Sequence, residues 1–396
     1  MKNTNKKGFT IVELVIVIAV IAILAAVLIP TFASIVKKAN QSADQQAVAN
    51  MNKLLAVSDK AEDVDDVIEI LIENNYAGDL TTYFAGYQLA WIKSENVIVL
   101  VENNAVVYPK NYTDATDFEV INPMATDGAT LVGGLTDGMV VYVAEDITAE
   151  GLAPEAAGSY TVKLNGNTIN ASDIVGAWVD DAKLVVSNGV IDGSSITDDD
   201  VVVYASKGGS VELNNVQVYA AAGTNPLQCY GGTMVLNNVT TAQTGEAHAS
   251  WYNSAIQVIN TIKQVDYEGT LKWTIYGEQA ALTVDGGVYS GDKAIQISAP
   301  GGNVTINGGT FVGSSYVIQG DYAPQNYAVE GDNTYESVIT INGGTFNGNI
   351  KISAATVLVI NGGTFHINPE TAITGGGTVT INGEVTDNGN GTWTVG

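Results

Sequence analysis

The feature that most narrows the folds open to this chain is a phrase it repeats. Asn307-Gly308-Gly309-Thr310-Phe311, Asn342-Gly343-Gly344-Thr345-Phe346 and Asn361-Gly362-Gly363-Thr364-Phe365 are copies, each preceded by an apolar run such as Val304-Thr305-Ile306. Weaker copies lie at 162–169, 184–191, 211–218, 234–241, 282–289 and 379–385. Aligned on the Asn-like position they fall at Asn165, Ser187, Asn214, Asn237, Asp285, Asn307, Asn342, Asn361 and Asn382, with gaps of 22, 27, 23, 48, 22, 35, 19 and 21 residues. A modal gap near 22, with 48 taken as two units, is the period of a solenoid. Each unit carries a second apolar run, such as Ala294-Ile295-Gln296-Ile297-Ser298 or Pro226-Leu227-Gln228-Cys229-Tyr230. Two alternating runs with glycine corners in so short a unit fit one coil of stacked strands, a texture that helical repeats lack.

Repetition gives the corner residues a structural meaning. Asn at the same corner of successive coils can stack and pass its carboxamide hydrogen bond along a ladder, which Asn165, Asn214, Asn237, Asn307, Asn342, Asn361 and Asn382 are expected to form. The Gly-Gly that follows supplies backbone angles closed to other residues. Thr-Phe in three copies would place Phe over Phe as a packing stripe.

On these residues the segment 135–396 resembles the right-handed parallel β-helix superfamily that includes pectate lyases. The resemblance implies about ten coils, a rod of roughly 50 Å at about 4.8 Å per coil, with residues 140–147 in the first. It also raises an enzymatic alternative. Lyases of that superfamily use an Arg or Lys base beside acids that hold Ca²⁺. The chain has no arginine, which leaves only a lysine such as Lys207, Lys263, Lys272 or Lys293. Its glycosidases use paired Asp residues; Asp192 and Asp198-Asp199-Asp200 are the acids available, and the Gly-His-Gly and Arg-x-Lys signatures are missing.

The other end of the chain obeys different physics. Residues 9–29 are an apolar run interrupted by Glu13, preceded by a leader with Lys2, Lys6 and Lys7 that ends at Gly8. About 20 apolar residues suffice to cross a bilayer as a helix, yet a carboxylate there costs on the order of 3 kcal/mol and needs a partner. A cleaved secretory signal has a shorter apolar stretch with no internal acid. Gly8, Phe9, Glu13 and Pro30 together resemble the N-terminus of type IV pilins and pseudopilins, over roughly residues 1–55. In that family a prepilin peptidase cuts after the glycine, here Gly8, and the new first residue, here Phe9, is methylated. The family's glutamate, here Glu13, pairs with the free amine of a neighbouring subunit. The leader lysines keep that end cytoplasmic, so the resemblance implies a single-pass protein with its bulk outside, on the cell surface or in a pilus after assembly.

Between these ends, Val36, Ala39, Ala43, Ala47, Met51 and Leu54 recur at helical spacing and predict a packing face past Pro30, which itself allows a kink. Asp59-Lys60-Ala61-Glu62 reads as a capping box opening a second helix with Val64, Val67, Ile68, Leu71 and Ile72 along one side. β-rich runs at 87–92, 96–101 and 105–108 predict a small antiparallel meander, as in pilin heads. The fold class is therefore α + β. It is divided into a leader (1–8), a membrane and filament-core helix (9–36), pilin-like helices and meander (37–110), a linker (111–134) and a β-helix (135–396).

Composition closes off several chemistries. Sixteen basic and 42 acidic residues give −26, and removal of three leader lysines leaves 13 − 42 = −29, a charge that repels nucleic acid and anionic lipid. One cysteine, Cys229, permits no internal disulfide and no cysteine-based zinc site, and His248 and His366 stand alone. No cofactor, metal or catalytic residue is expected. Two long departures from the period, 240–281 and 312–337, carry the aromatics Trp251, Tyr252, Trp273, Tyr276, Tyr316 and Tyr322, which would suit sugar rings. The sequence thus points to a pilin-like subunit, minor because a bulky rod on every subunit would crowd a filament. It would present the rod as an adhesin or glycan-binding module, with prepilin peptidase, other pilin subunits and carbohydrate as partners. The alternatives are a membrane-tethered lyase or glycosidase and a pseudopilin tip.

Overall fold

The computed structural model of the 396-residue chain describes residues 11–58, 61–74, 76, 80, 82–84, 86–121, 125–196, 201–244, 253–260, 262–267, 270–275, 279–298, 301–320 and 337–396. For 12, 13, 22–27, 29, 244, 262–267 and 270–275 it describes the backbone alone. The chain divides into two compact units, Met1–Asn122 and Pro123–Gly396.

The first unit begins with α1, Ile11–Leu55, which runs through Pro30 without interruption. At about 1.5 Å per residue this is roughly 68 Å of helix. Its buried face differs from the expected stripe. Asp44, Val48, Met51 and Leu55 are buried, whereas Val36 and Ala39 are exposed and Ala43, Ala47 and Leu54 lie at the margin. The reason is polar: the Asp44 carboxylate accepts the backbone N–H groups of Tyr83 (2.7 Å) and Phe84 (3.0 Å), which turns that edge of the helix inward. Asn52 acts similarly, accepting from Ile98 N at 2.7 Å and donating to Ile98 O at 2.8 Å.

Helix α2, Val64–Glu73, opens four residues later than the capping box at Asp59 implied. Asp63 is its N-cap, accepting from Asp66 N at 3.0 Å, while Asp66 accepts from the N–H of Glu62, the residue before the cap, at 2.7 Å, so two acids satisfy donors at the helix start. Strands β1 (Gln88–Ile92), β2 (Val97–Glu102) and β3 (Ala105–Tyr108) form the antiparallel meander. Asn96, Asn103 and Asn104 take φ of 51°, 53° and 59° in its turns, a region Asn tolerates. The stretch 111–134, read as linker, contains structure: β4, Glu119–Val120, pairs with the free edge of β1, and α3, Gly128–Gly134, is capped by a reciprocal Asp127–Thr130 box.

The second unit is built from parallel strands in three stacks. One runs through Val140–Tyr142, Gly158–Lys163 and the first half of Ala182–Gly193, and continues to Thr356–Ile360 and Thr378–Ile381. Another starts at Ile147–Ala149 and Thr168–Ala171, and a third at Val175–Ala177 and Val201–Ser206. The arrangement is compatible with a parallel β-helix. Alternation sets the inside: Leu184, Val211, Met234, Leu282, Val304, Ile339 and Leu358 follow one another in register down the first stack, and all are buried.

Two readings of the period change. Met234 pairs directly with Leu282, so the gap of 48 residues is one coil and not two. The extra length includes an antiparallel hairpin, Ile262–Tyr267 with Thr270–Ile275. It leaves and returns at one corner, where Ala280 N donates to the Asn260 side chain at 2.7 Å. Ser187 lies opposite Lys163, which puts Asn165 two residues past the position that the alignment assumed.

In four successive coils a corner glycine stands two residues before a stacked ring. Tyr289, Phe311, Phe346 and Phe365 stack in the core with centroids 5.1, 5.1 and 4.9 Å apart and interplanar angles of 15°, 4° and 11°. Rungs repeat every 4.7–4.9 Å or so, which dictates that spacing. Earlier coils put Ile169, Ile191, Val218 and Thr241 in this stack; the corner beside Val218 and Thr241 is filled by the buried Val216 and Val239, whereas Gly189 stands beside Ile191. Opposite Val239 stands Gly287. At Gly344, φ is +110° and an added Cβ would lie 3.0 Å from the Gly309 carbonyl and 3.5 Å from the Phe346 ring. The tight contact at this corner is with the backbone of the adjoining coil, which is what requires glycine.

Candidate functional site

Of the processing residues, Gly8 and Phe9 lie outside the described residues; Glu13 lies on α1 with its side chain undescribed. Pro30 is exposed on the same helix. Ile11, Leu14, Val15, Ile18, Ile21, Leu28, Phe32 and Ile35 are all exposed, so among the described residues none of the first unit covers these side chains. A helix end this apolar without a core partner is a surface made for another environment. Among the described residues no helix is long and apolar enough to cross a membrane, and the apolar run of residues 9–29 lies partly outside that description.

The Asn corners form two polar runs. Asn382, Asn361, Asn342 and Asn307 each donate Nδ2 to the Oδ1 of the preceding member at 2.6–2.7 Å, ending on Asp285. Higher up, Asn237 donates to Asn214 at 2.6 Å, and Asn214 to Glu212 at 3.1 Å. Asn165 is not among them; it donates to the Val143 carbonyl at 3.3 Å. A second ladder lies one residue on: Asn238 donates to Asn215 (2.9 Å) and Asn215 to Asn188 (3.2 Å), all three with φ between 53° and 59°. The doublets Asn214-Asn215 and Asn237-Asn238 were its signal in the sequence.

The expected sugar-binding aromatics are seen only in part. Trp251, Tyr252, Tyr276 and Tyr322 lie outside the described residues, and Trp273 is described as backbone, opposite Gln264 in the hairpin. Tyr316 carries the Lys351 ammonium 5.8 Å above its ring. The candidate bases fare similarly. Lys293 is held by Asp292 at 3.0 Å with its side chain largely covered, and Lys207 occupies a corner with φ of +51°. Burial acts to raise the Asp292 pKa, but bonds from Ser315, Lys293 and Ser314 hold it below the ordinary carboxylate value. Lys263 and Lys272 are described as hairpin backbone only, Asp198-Asp199-Asp200 and His248 lie outside the described residues, and Asp192 accepts from Ser194 N. His366 Nδ1 sits 3.2 Å from the Phe346 carbonyl. Burial pushes the Cys229 thiol up to about 12, which leaves it protonated and unreactive as a nucleophile.

One feature has no counterpart among the expected sites. A cleft of about 500 Å³ opens at the start of the second unit, lined by α3, the turn after Ile147–Ala149 and the segment around Val175–Ala177. Trp178 contributes the aromatic surface, and Glu150, Glu155 and Asp173 the charge. Trp178 stands in no repeat copy, so periodicity gave no reason to single it out.

Comparison with known proteins locates the resemblance at the N-terminus. Residues 3–29 match the family model described as the prokaryotic N-terminal methylation motif. The type IV wide pilus major component PilA4 of Thermus thermophilus is 63% identical over 38 residues, which is 10% of this chain and 29% of that protein. The chain thus spans under a third of the length of the curated relative it matches. No solved structure matches it. With a long helix exposing its apolar half, a small antiparallel sheet behind it and this motif at its start, the chain has the N-terminus of a type IV pilin-like protein.

Proposed function

We propose that the chain is a minor subunit of a type IV pilus or pseudopilus. Residues 9–36 hold it in the membrane until assembly, and the stacked strands, a right-handed parallel β-helix of about ten coils, are presented outside as an adhesin. The observation that carries this reading is the coincidence of the methylation motif at residues 3–29 with an α1 whose described apolar side chains from Ile11 to Ile35 are exposed. Prepilin peptidase is the processing partner, cutting between Gly8 and Phe9. Other pilin subunits are the assembly partners, through Glu13 and the exposed helix. The same features support a structural subunit over an enzyme.

The experiment is mass spectrometry of the mature product after co-expression with a prepilin peptidase and assembly machinery. A first residue of N-methylated Phe9, and loss of filament incorporation in Glu13→Ala, are expected; any other N-terminus removes the assembly reading. Carbohydrate is proposed as the adhesin's ligand, contacted by Trp251, Tyr252, Trp273, Tyr276, Tyr316 and Tyr322. A glycan array probed with the full chain separates retention from cleavage, and release of products would replace the adhesin by a tethered lyase or glycosidase.

A further inference from the structure

The cleft beside Trp178 has a chemistry of its own. Its two strand segments are clipped together, Leu152 N donating to Ile174 O at 3.2 Å and Gly176 N to Leu152 O at 2.8 Å, so its shape is part of the rung structure. Asp173 is oriented by its own loop, Oδ1 accepting from Ile174 N at 2.7 Å. Glu150, Glu155 and Asp173 line it and no basic residue does, which gives three negative charges in one concavity on a chain that is already at −26. That sign turns away uronates, phosphates and other anions and concentrates cations.

A bare metal ion does not fit the arrangement. Among the described residues no three acidic, histidine or cysteine groups lie close enough to hold one, so these carboxylates surround a volume and do not converge on a point. The remaining lining is apolar, with the exposed Val132 and the half-buried Ile174 among it, and Trp178 keeps about a third of its surface exposed. An indole face attracts an organic cation, and apolar neighbours accept its hydrocarbon. We propose that this cleft binds an alkylammonium ligand, a protonated amine on a short apolar stem, with Trp178 against the cation and the three carboxylates around it. The inference is independent of the pilus reading.

It is tested by calorimetric titration of the full-length chain in non-ionic detergent with n-butylammonium, using n-butanol, CaCl₂ and oligogalacturonate as comparators. Saturable binding of butylammonium alone is expected, weakening with added NaCl. Trp178→Ala should weaken it about 2- to 5-fold, the range of an exposed cation–π contact. Trp178→Phe should retain it to within about 2-fold, and the triple variant Glu150→Gln/Glu155→Gln/Asp173→Asn should abolish saturation with an unchanged thermal midpoint. Equal binding of butanol, preferential binding of Ca²⁺ or oligogalacturonate, or indifference to the triple variant would overturn the proposal.

Discussion

Asp285 fixes the direction of every hydrogen bond in the ladder below it. A carboxylate only accepts, so Asn307 must turn its Nδ2 toward Asp285 and leave its Oδ1 for Asn342, and the same choice propagates to Asn361 and Asn382. Polarity of this kind makes a sharp prediction. Asn342→Asp would face an acceptor to the Asn307 oxygen and should destabilise by about 1–2 kcal/mol, whereas Asp285→Asn keeps the needed oxygen and should stay within about 0.5 kcal/mol. Urea unfolding of the two variants checks it. At this scale the repeated Asn was legible because its spacing recurs. The second ladder at Asn188, Asn215 and Asn238 was not, because each doublet read as one position. Asn165 was misplaced by two residues, because its turn, between Lys163 opposite Ser187 and Thr168 opposite Val190, is two residues longer than the corresponding turn of the next coil, and only strand pairing reveals that.

Elements were most readable where one periodicity acts alone. The meander strands lie within a residue of the β-rich runs, since a short apolar run rich in β-formers and the Asn turns both specify them. Helix α1 was readable as a helix but not in its buried face. Asp44 is a carboxylate on the core side, and an apolar count discards it; its partners, the N–H groups of Tyr83 and Phe84, are some 40 residues away in sequence. The capping box failed for a related reason: Asp59 and Asp63 both precede a plausible first turn, and the acid at Asp66 decides for Asp63. In the stacked strands the Phe column is the element to test. Phe346 contacts a ring above and below, so Phe346→Ala should cost about 3–5 kcal/mol and Phe346→Leu distinctly less, read as shifts of the denaturation midpoint.

At the level of the whole molecule, the stacked parallel strands were legible from the repeat and the two departures from its period stood out, but the first was also counted as a coil of its own. A gap of 48 is close to twice 22, and arithmetic alone prefers two coils; pairing of Met234 with Leu282 shows one coil carrying a hairpin. Because Asn260 and Ala280 are hydrogen-bonded at the base of that insertion, replacing residues 262–275 with a short Gly-Ser link should leave cooperative unfolding of the unit intact. A loss of the unfolding transition by circular dichroism would show that the hairpin supports the coils. Gly8, Phe9 and Glu13 were read from a motif, and their roles stand as proposed. The Trp178 cleft gathers residues from three segments that share no pattern. The column of core rings has a last consequence. Each Asn-Gly-Gly-Thr-Phe phrase brings its own bare corner and its own ring, so a duplicated phrase would meet the same ring on either side. Length in such a chain is a tally of interchangeable cassettes, free to grow or shrink by whole turns while the cross-section stays constant.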